Sequence, residues 1–337
     1  LHPRVRRQRQ MCIRDRHCDT ISSIYLDRMG GEVKKLRENN GHVDLARLKK
    51  GGCLAQNFAL FTILKEDPDP CGFARGACRL FKEELAENDD MIRQAVTVEE
   101  ILRNDRDGRM SGVLTIEEGG ICNGSTDVLR DFYREGVRMM TLTWNYENDL
   151  AYPNKVDMNT GISMPETEHG LKKKGIEFVE LMEEIGMAVD VSHLGDAGFW
   201  DVAEIMKKPF AASHSNARAI AGHTRNLTDE MIRTMAERGG VMGINYCPVF
   251  LDDREDGGTS RISAMVRHIK HIRNVGGIEC IGLGSDFDGI SGTLEIDSPS
   301  AVHLLEEALY RNGFTQTEVE KIFYRNVLRF YGDVWKK

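Results

Sequence analysis

Three of the ten histidines in this 337-residue chain close apolar, strand-like runs, each with a carboxylate close by in sequence or on a neighbouring run. His17-Cys18-Asp19 comes first. Side chains two apart on a strand point the same way, so His17 and Asp19 can grip one cation together. Asp190-Val191-Ser192-His193 and Ser213-His214-Ser215 end two successive runs. Imidazoles on adjacent strand ends reach a common metal. Between these lies Glu117-Glu118-Gly119-Gly120. The paired glycines let the backbone approach closely, and on that ground Glu118 is read as the inward-facing carboxylate. Gly284-Ser285-Asp286-Phe287-Asp288-Gly289 supplies a further carboxylate, either a metal ligand or a general base, with Asp288 read as the structural one of the two. Neutral imidazoles and carboxylates suit zinc, with manganese or cobalt as substitutes. No thiolate joins the set, so the pattern is that of a catalytic centre with an open position. Two metals bridged by a carboxylate and a hydroxide would polarise a carbonyl and bring the pKa of water toward ~7.

Such residues must be delivered by elements that end at one place. Strand patterns fall at 51–61, 111–117, 137–144, 186–193, 209–215, 241–250 and 280–289, with a first strand before His17. Amphipathic helical patterns lie between them, among them 125–136, 171–186, 228–240 and 262–277. Thr228 is placed to cap its helix, and Gly136, Gly186, Gly239 and Gly276 stand where helices should stop. Two more helical segments, 299–312 and 316–331, close the chain. About eight strand–helix units predict an α/β fold, a (β/α)8 TIM barrel of the metallo-dependent hydrolase type, with chemistry at the C-terminal strand ends. A doubly wound open sheet is the alternative, but no G-x-G-x-x-G follows an early strand. Loops at 62–70, 145–168 and 251–260 are candidates for substrate contact.

Bulk properties narrow the function. The net charge of -8 argues against nucleic acid as a partner, and no apolar run is long enough to span a membrane. Eight scattered cysteines with no C-x-x-C read as reduced, mostly buried thiols, in keeping with a cytoplasmic location. The basic stretch LHPRVRRQRQMC is set aside as a non-native or disordered leader (residues 1–12), leaving 13–337 as a single catalytic domain.

In these residues the chain resembles the membrane (renal) dipeptidase family of zinc peptidases. The resemblance runs from about His17 to the C-terminus. It is carried by HCDT, GGCLAQ, EGG with VLRDFYREGVRMMTLTWN, DVSH, SHSNAR, TRNLTDE, GSDFDG and YRNVLRFY. It implies two zinc ions per chain, one held by His17 and Asp19 and the other by His193 and His214, with Glu118 bridging. It makes Arg225 the group that binds the substrate's C-terminal carboxylate, and Asp286 the residue that accepts and returns a proton. The implied activity is dipeptide hydrolysis by a metal-bridged hydroxide, in a homodimer. Two positions depart from the family pattern: Trp144 stands where the family has a histidine after TLT, and Asp15-Arg16 where it has Asp-Gly. Trp144 is therefore expected to wall the substrate pocket, its indole N–H able to donate one hydrogen bond but not to titrate. N-acyl-amino-acid or lactam hydrolysis on the same metals, and a non-catalytic metal-binding barrel, are the rival readings.

Overall fold

The computed structural model describes residues 12–15, 17–157, 163–253 and 258–336. Most of the leader, Arg16, and parts of the loops at 145–168 and 251–260 lie outside the described residues. Eight parallel strands form one curled sheet in chain order: β1 (Cys12–Asp15), β2 (Cys53–Phe61), β3 (Met110–Glu117), β4 (Val137–Thr141), β5 (Ala188–Asp190), β6 (Ala211–Ala212), β7 (Val241–Ile244) and β8 (Ile281–Leu283). A short outer strand, Ile92–Gln94, pairs with the start of β3. The order of expected strands holds, but several are shorter than their apolar runs. β6 has two residues where 209–215 was expected. The expected run 241–250 gives a four-residue strand and then a helical turn at Pro248–Leu251. Near these points side-chain oxygens of Asp190, Asn216 and Asn245 take some of the backbone donors, while Ser215 N to Gly243 O and Tyr246 N to Ser285 O keep the neighbouring segments joined.

The barrel closes above its strands rather than along them. Past the ends of β1 and β8, Cys18 bridges Phe287 in parallel fashion. Asp19 N donates to Phe287 O at 3.1 Å, and Asp286 N donates to His17 O at 3.2 Å. The HCD and SDFD segments are thus stitched to each other by backbone bonds.

Alternation along β3 shows how the barrel is filled. Val113 belongs to the inner cluster with Ala55, Met139, Ala188, Ala211 and Val241. Leu114 and Ile116 face outward into the helix layer. The C-terminal helix Asn326–Val334 plugs the barrel floor: Tyr331 stacks on Trp335 and donates to Asn57 Oδ1 at 2.9 Å. Each large side chain fully buried here contributes about 1.5–3 kcal/mol.

The helix caps follow the sequence signals, with one shift. Thr228 accepts from Met231 N. The helix expected to stop at Gly276 runs through it to Gly277, whose φ of +84° makes the turn. A Cβ at Gly276 would lie 3.0 Å from Cys280 Sγ and Ile232 Cγ2, so that glycine serves close packing. Cys18, Cys53, Cys78, Cys122 and Cys280 are buried.

Candidate metal centre

β3 delivers its last residue, Glu117, to the middle of the barrel mouth. Its Oε2 lies 2.9 Å from His17 Nε2. Its Oε1 lies 2.9 Å from His193 Nε2 and 3.4 Å from His214 Nε2. The two imidazole nitrogens of His193 and His214 are themselves 2.9 Å apart. On the other side, His17 Nε2 stands 3.6 Å from Asp19 Oδ1 and 3.9 Å from Asp286 Oδ1. Two groups of ligand-type atoms result: His17, Glu117 and His214, and His17, Asp19 and Asp286.

Glu118 does not take the bridging place that the sequence reading assigned to it. Its backbone turns to φ 95°, which swings the side chain away from the mouth. The carboxylate instead accepts from Gly120 N at 2.8 Å, Trp144 N at 2.9 Å and Asn148 Nδ2, and so ties the loop after β4 to the turn after β3. Strand parity decides between the two glutamates: Glu117 shares the inward face with Val113 and Thr115. His193 and Asp286 also adopt left-handed backbone, at φ 68° and 66°. Residues other than glycine pay for that conformation, and such strain concentrates at functional sites.

Partners orient the histidines after β5 and β6. His193 Nδ1 is 2.8 Å from Asn145 Oδ1. Ser213 Oγ gives its hydrogen to Asp190, so it accepts from His214 Nδ1 at 2.6 Å. Both rings are left with Nε2 lone pairs turned into the mouth, the arrangement a metal requires. Burial, with Arg225 and His17 nearby, holds the His193 pKa well below its ordinary value, so the ring is neutral.

The carboxylates crowd each other. Burial, reinforced by Asp19 and Asp286 and opposed by His17, pushes Glu117 up to about 8. Burial also raises Asp286, whose Oδ2 accepts from Asn245 Nδ2 at 2.9 Å. Burial pulls His17 down, but Glu117 and Asp19 outweigh it and hold the ring well above its ordinary value. Gly289 lets the site be this tight: a Cβ there would lie 2.1 Å from Asp19 Oδ2 and 2.8 Å from Asp286 Oδ1.

The donor set fits divalent metal. Asp19 is 8% exposed, and among the described residues its Oδ1 accepts no hydrogen bond. Three carboxylates and three imidazoles meet with no thiolate among them, which favours borderline cations such as zinc. Asp288 stands outside the set. It accepts from Thr20 Oγ1 and His42 N, and pins the 39–44 loop to the helix Thr20–Met29.

Arg225 lies over the mouth on the loop after β6, 5% exposed. Among the described residues its guanidinium reaches only Ser215 Oγ at 3.5 Å and His214 O at 3.4 Å, packs 5.4 Å over the Phe250 ring, and leaves Nε without a hydrogen-bond partner. Burial lowers its pKa, while Asp286 and Glu117 oppose the shift. Trp144 packs against Phe61 at 5.1 Å and His193 at 6.0 Å, forming a wall beside the histidines. Sequence reasoning missed Glu117, Asn145 and Asn245. The alternation of Leu114 and Ile116 with Thr115 and Glu117 was the available signal for the first.

A parallel barrel with imidazoles and carboxylates at its C-terminal mouth defines a metal-dependent hydrolase. The model of the membrane dipeptidase family (Peptidase family M19) matches residues 4–336, and the chain belongs to that family. That match begins inside the stretch set aside as a leader. An uncharacterized protein in the pqqA 5' region of Klebsiella pneumoniae is 33% identical over 276 residues, 80% of this chain and 98% of that one. Dipeptidase tcpJ of Claviceps purpurea is 27% identical over 324 residues, 93% of this chain and 74% of its own length. Among solved structures, dipeptidase AC, a metallopeptidase of family M19, superposes with a TM-score of 0.87 at 25% identity, covering 97% of this chain and 99% of that one. A metallopeptidase from Rhodobacter sphaeroides, liganded with a phosphinate mimic of the dipeptide L-Ala-D-Ala, gives 0.86 at 24% identity, over 97% and 100%. The chain is a metal-dependent dipeptidase.

Proposed function

We propose that the mouth holds two zinc ions, and that the enzyme cleaves dipeptides whose C-terminal carboxylate is bound by Arg225. The observation that carries this reading is the division of Glu117: one carboxylate oxygen faces His17, the other faces His193 and His214. In this reading His17, Asp19 and Glu117 hold one ion, with Asp286 beside it, and Glu117, His193 and His214 hold the other. The pair would polarise the scissile carbonyl and acidify a water.

The chain's own groups do the rest. The buried guanidinium of Arg225, whose Nε–H has no partner among the described residues, offers a planar fork that suits a carboxylate. Asp286 keeps Oδ2 on Asn245 and presents its other oxygen toward His17, so it takes a proton there and returns it to the leaving amine. Trp144 and Phe61 wall the site and limit water beside it.

Metal content of the purified protein, together with a panel of dipeptides, acyl-amino acids and a β-lactam, tests the proposal. Two equivalents of zinc and chelator-sensitive dipeptide hydrolysis are expected, with manganese or cobalt restoring activity. One equivalent, or hydrolysis that survives complete metal removal, would overturn it. Arg225→Ala should raise KM for dipeptides about 100-fold, as expected for loss of a buried charge-assisted bidentate contact. An unchanged KM would remove the carboxylate role. A homodimer is part of the proposal, and a monomer mass by light scattering would remove that part.

A further inference from the structure

We infer that the groove between the helix Thr20–Met29 and the 62–69 loop receives the side chain of the substrate's N-terminal residue, and that its carboxylates select lysine or arginine there. The inference rests on the dipeptidase reading above and adds the substrate class.

The groove has a volume of about 830 Å³ and reaches Asp19, one residue of the metal centre. Pockets of this size hold small ligands. Its position follows from the barrel. Arg225 follows β6. Asp19 follows β1, three strands further around the barrel. A dipeptide with its carboxylate on Arg225 and its peptide bond at Glu117 must send its N-terminal residue toward β1 and β2, where the groove opens.

The lining is built in two parts. Tyr25, Phe61 and Phe73 give an apolar floor. Glu66, Asp67 and Asp69 form the rim together with the exposed Leu26 and Met29. An aliphatic stem with a cationic end matches that sequence of surfaces. Two of the rim carboxylates are held by hydrogen bonds, and among the described residues none of the three is ion-paired. Asp67 accepts from Thr62 Oγ1 at 2.8 Å and Asp69 N at 2.9 Å, and Asp69 accepts from Gly72 N at 2.9 Å. All three donors are neutral. Among the described residues no lysine or arginine lines the groove. Lys65, within the same loop, is turned 3.9 Å over the Tyr146 ring instead. At the inner end, Asp19 Oδ1 lies 3.6 Å from His17 Nε2 and belongs to the metal centre.

The test compares kcat/KM of the metal-loaded full chain for lysyl-alanine, leucyl-alanine and glutamyl-alanine at low and high salt. Lysyl-alanine should exceed leucyl-alanine about tenfold at low salt, with glutamyl-alanine poorest, and the advantage should shrink at high ionic strength because the rim is exposed. Glu66→Lys, at an exposed position, should lower the lysyl-to-leucyl ratio about tenfold. Glu66→Gln with Asp67→Asn should lower it in the same direction. Equal rates for the two substrates in the parent enzyme, or a ratio that neither variant moves, would overturn the inference while leaving the dipeptidase reading intact. Failure to cleave any dipeptide would instead overturn the reading on which it rests.

Discussion

On the β5–β6 side of the mouth, His193 and His214 each lean on a dedicated side-chain partner, Asn145 and Ser213. On the side where β8 meets β1, the position of His17, Asp19 and Asp286 comes from backbone bonds across the closure of the barrel. β1 itself pairs irregularly with β2, with two register shifts in four residues. The difference has an electrostatic counterpart. Burial leaves His193 neutral, whereas His17 is held up by the carboxylates around it. One side is therefore set by side-chain tautomers and the other by chain closure and a surplus of negative charge. Glu117 is the only carboxylate among the described residues that has one oxygen on each side.

Removing that common group should have the largest effect. Glu117→Gln should lower kcat/KM by on the order of 10³, about 4 kcal/mol of transition-state stabilisation. The same change at Glu118 should act through the loop it ties to Trp144 and Asn148, lowering the melting temperature more than the activity. Steady-state kinetics and thermal melts on the pair decide this. Equal loss of activity from both would mean that strand parity is not what places the ligand.

A smaller effect should separate the two sides. Asn145→Ala frees His193 Nδ1 and should weaken metal affinity about 10–100-fold, the usual cost of losing a partner behind a metal-bound histidine. Competition against a chelating dye measures it. Affinity within twofold of the parent would show that His193 is oriented by packing against Trp144 instead.

The two sides were unequally legible in the sequence. His193 and His214 end well-formed apolar runs, and their adjacency follows from strand order alone. His17 and Asp19 could be placed by the two-residue period, but not the bridge from Cys18 to Phe287 that fixes them, because that contact joins residues about 270 positions apart. The Glu117–Glu118 choice was written in the alternation of Leu114 and Ile116 with Thr115 and Glu117. The glycine pair drew attention to the wrong residue. The φ of 95° at Glu118 leaves no sequence signal, since a glutamate there is held by its hydrogen bonds. Asn145 and Asn245 stand just past strand ends, where side-chain direction depends on loop geometry rather than periodicity. Shortened strands such as Ala211–Ala212 escaped for the same reason: polar side chains take over the backbone donors before the apolar run ends.

The smallest effect concerns the metal-free protein, and there the sides should respond to pH in opposite senses. Glu117, buried among Asp19 and Asp286, has a folded-state pKa of about 8 against an ordinary 4.5. A raised pKa means that the folded chain binds the proton more tightly. Its contribution to stability is present below about pH 4.5 and is lost as pH rises through about 8. Asp286 and His17 are shifted upward as well and act with the same sign. His193 is shifted downward, so its contribution is present above its ordinary value near 6.5 and is lost as pH falls below it. Because the Glu117 value lies near 8, the melting temperature of chelator-treated protein should fall by several degrees between about pH 6 and pH 8. Zinc should restore more at the upper end, because protons no longer compete for the carboxylates. Glu117→Gln, which cannot ionise, should flatten that fall. A metal-free melting temperature that rises across this window would mean that the neutral histidines after β5 and β6, rather than the carboxylates at the closure, dominate the energetics of the empty mouth.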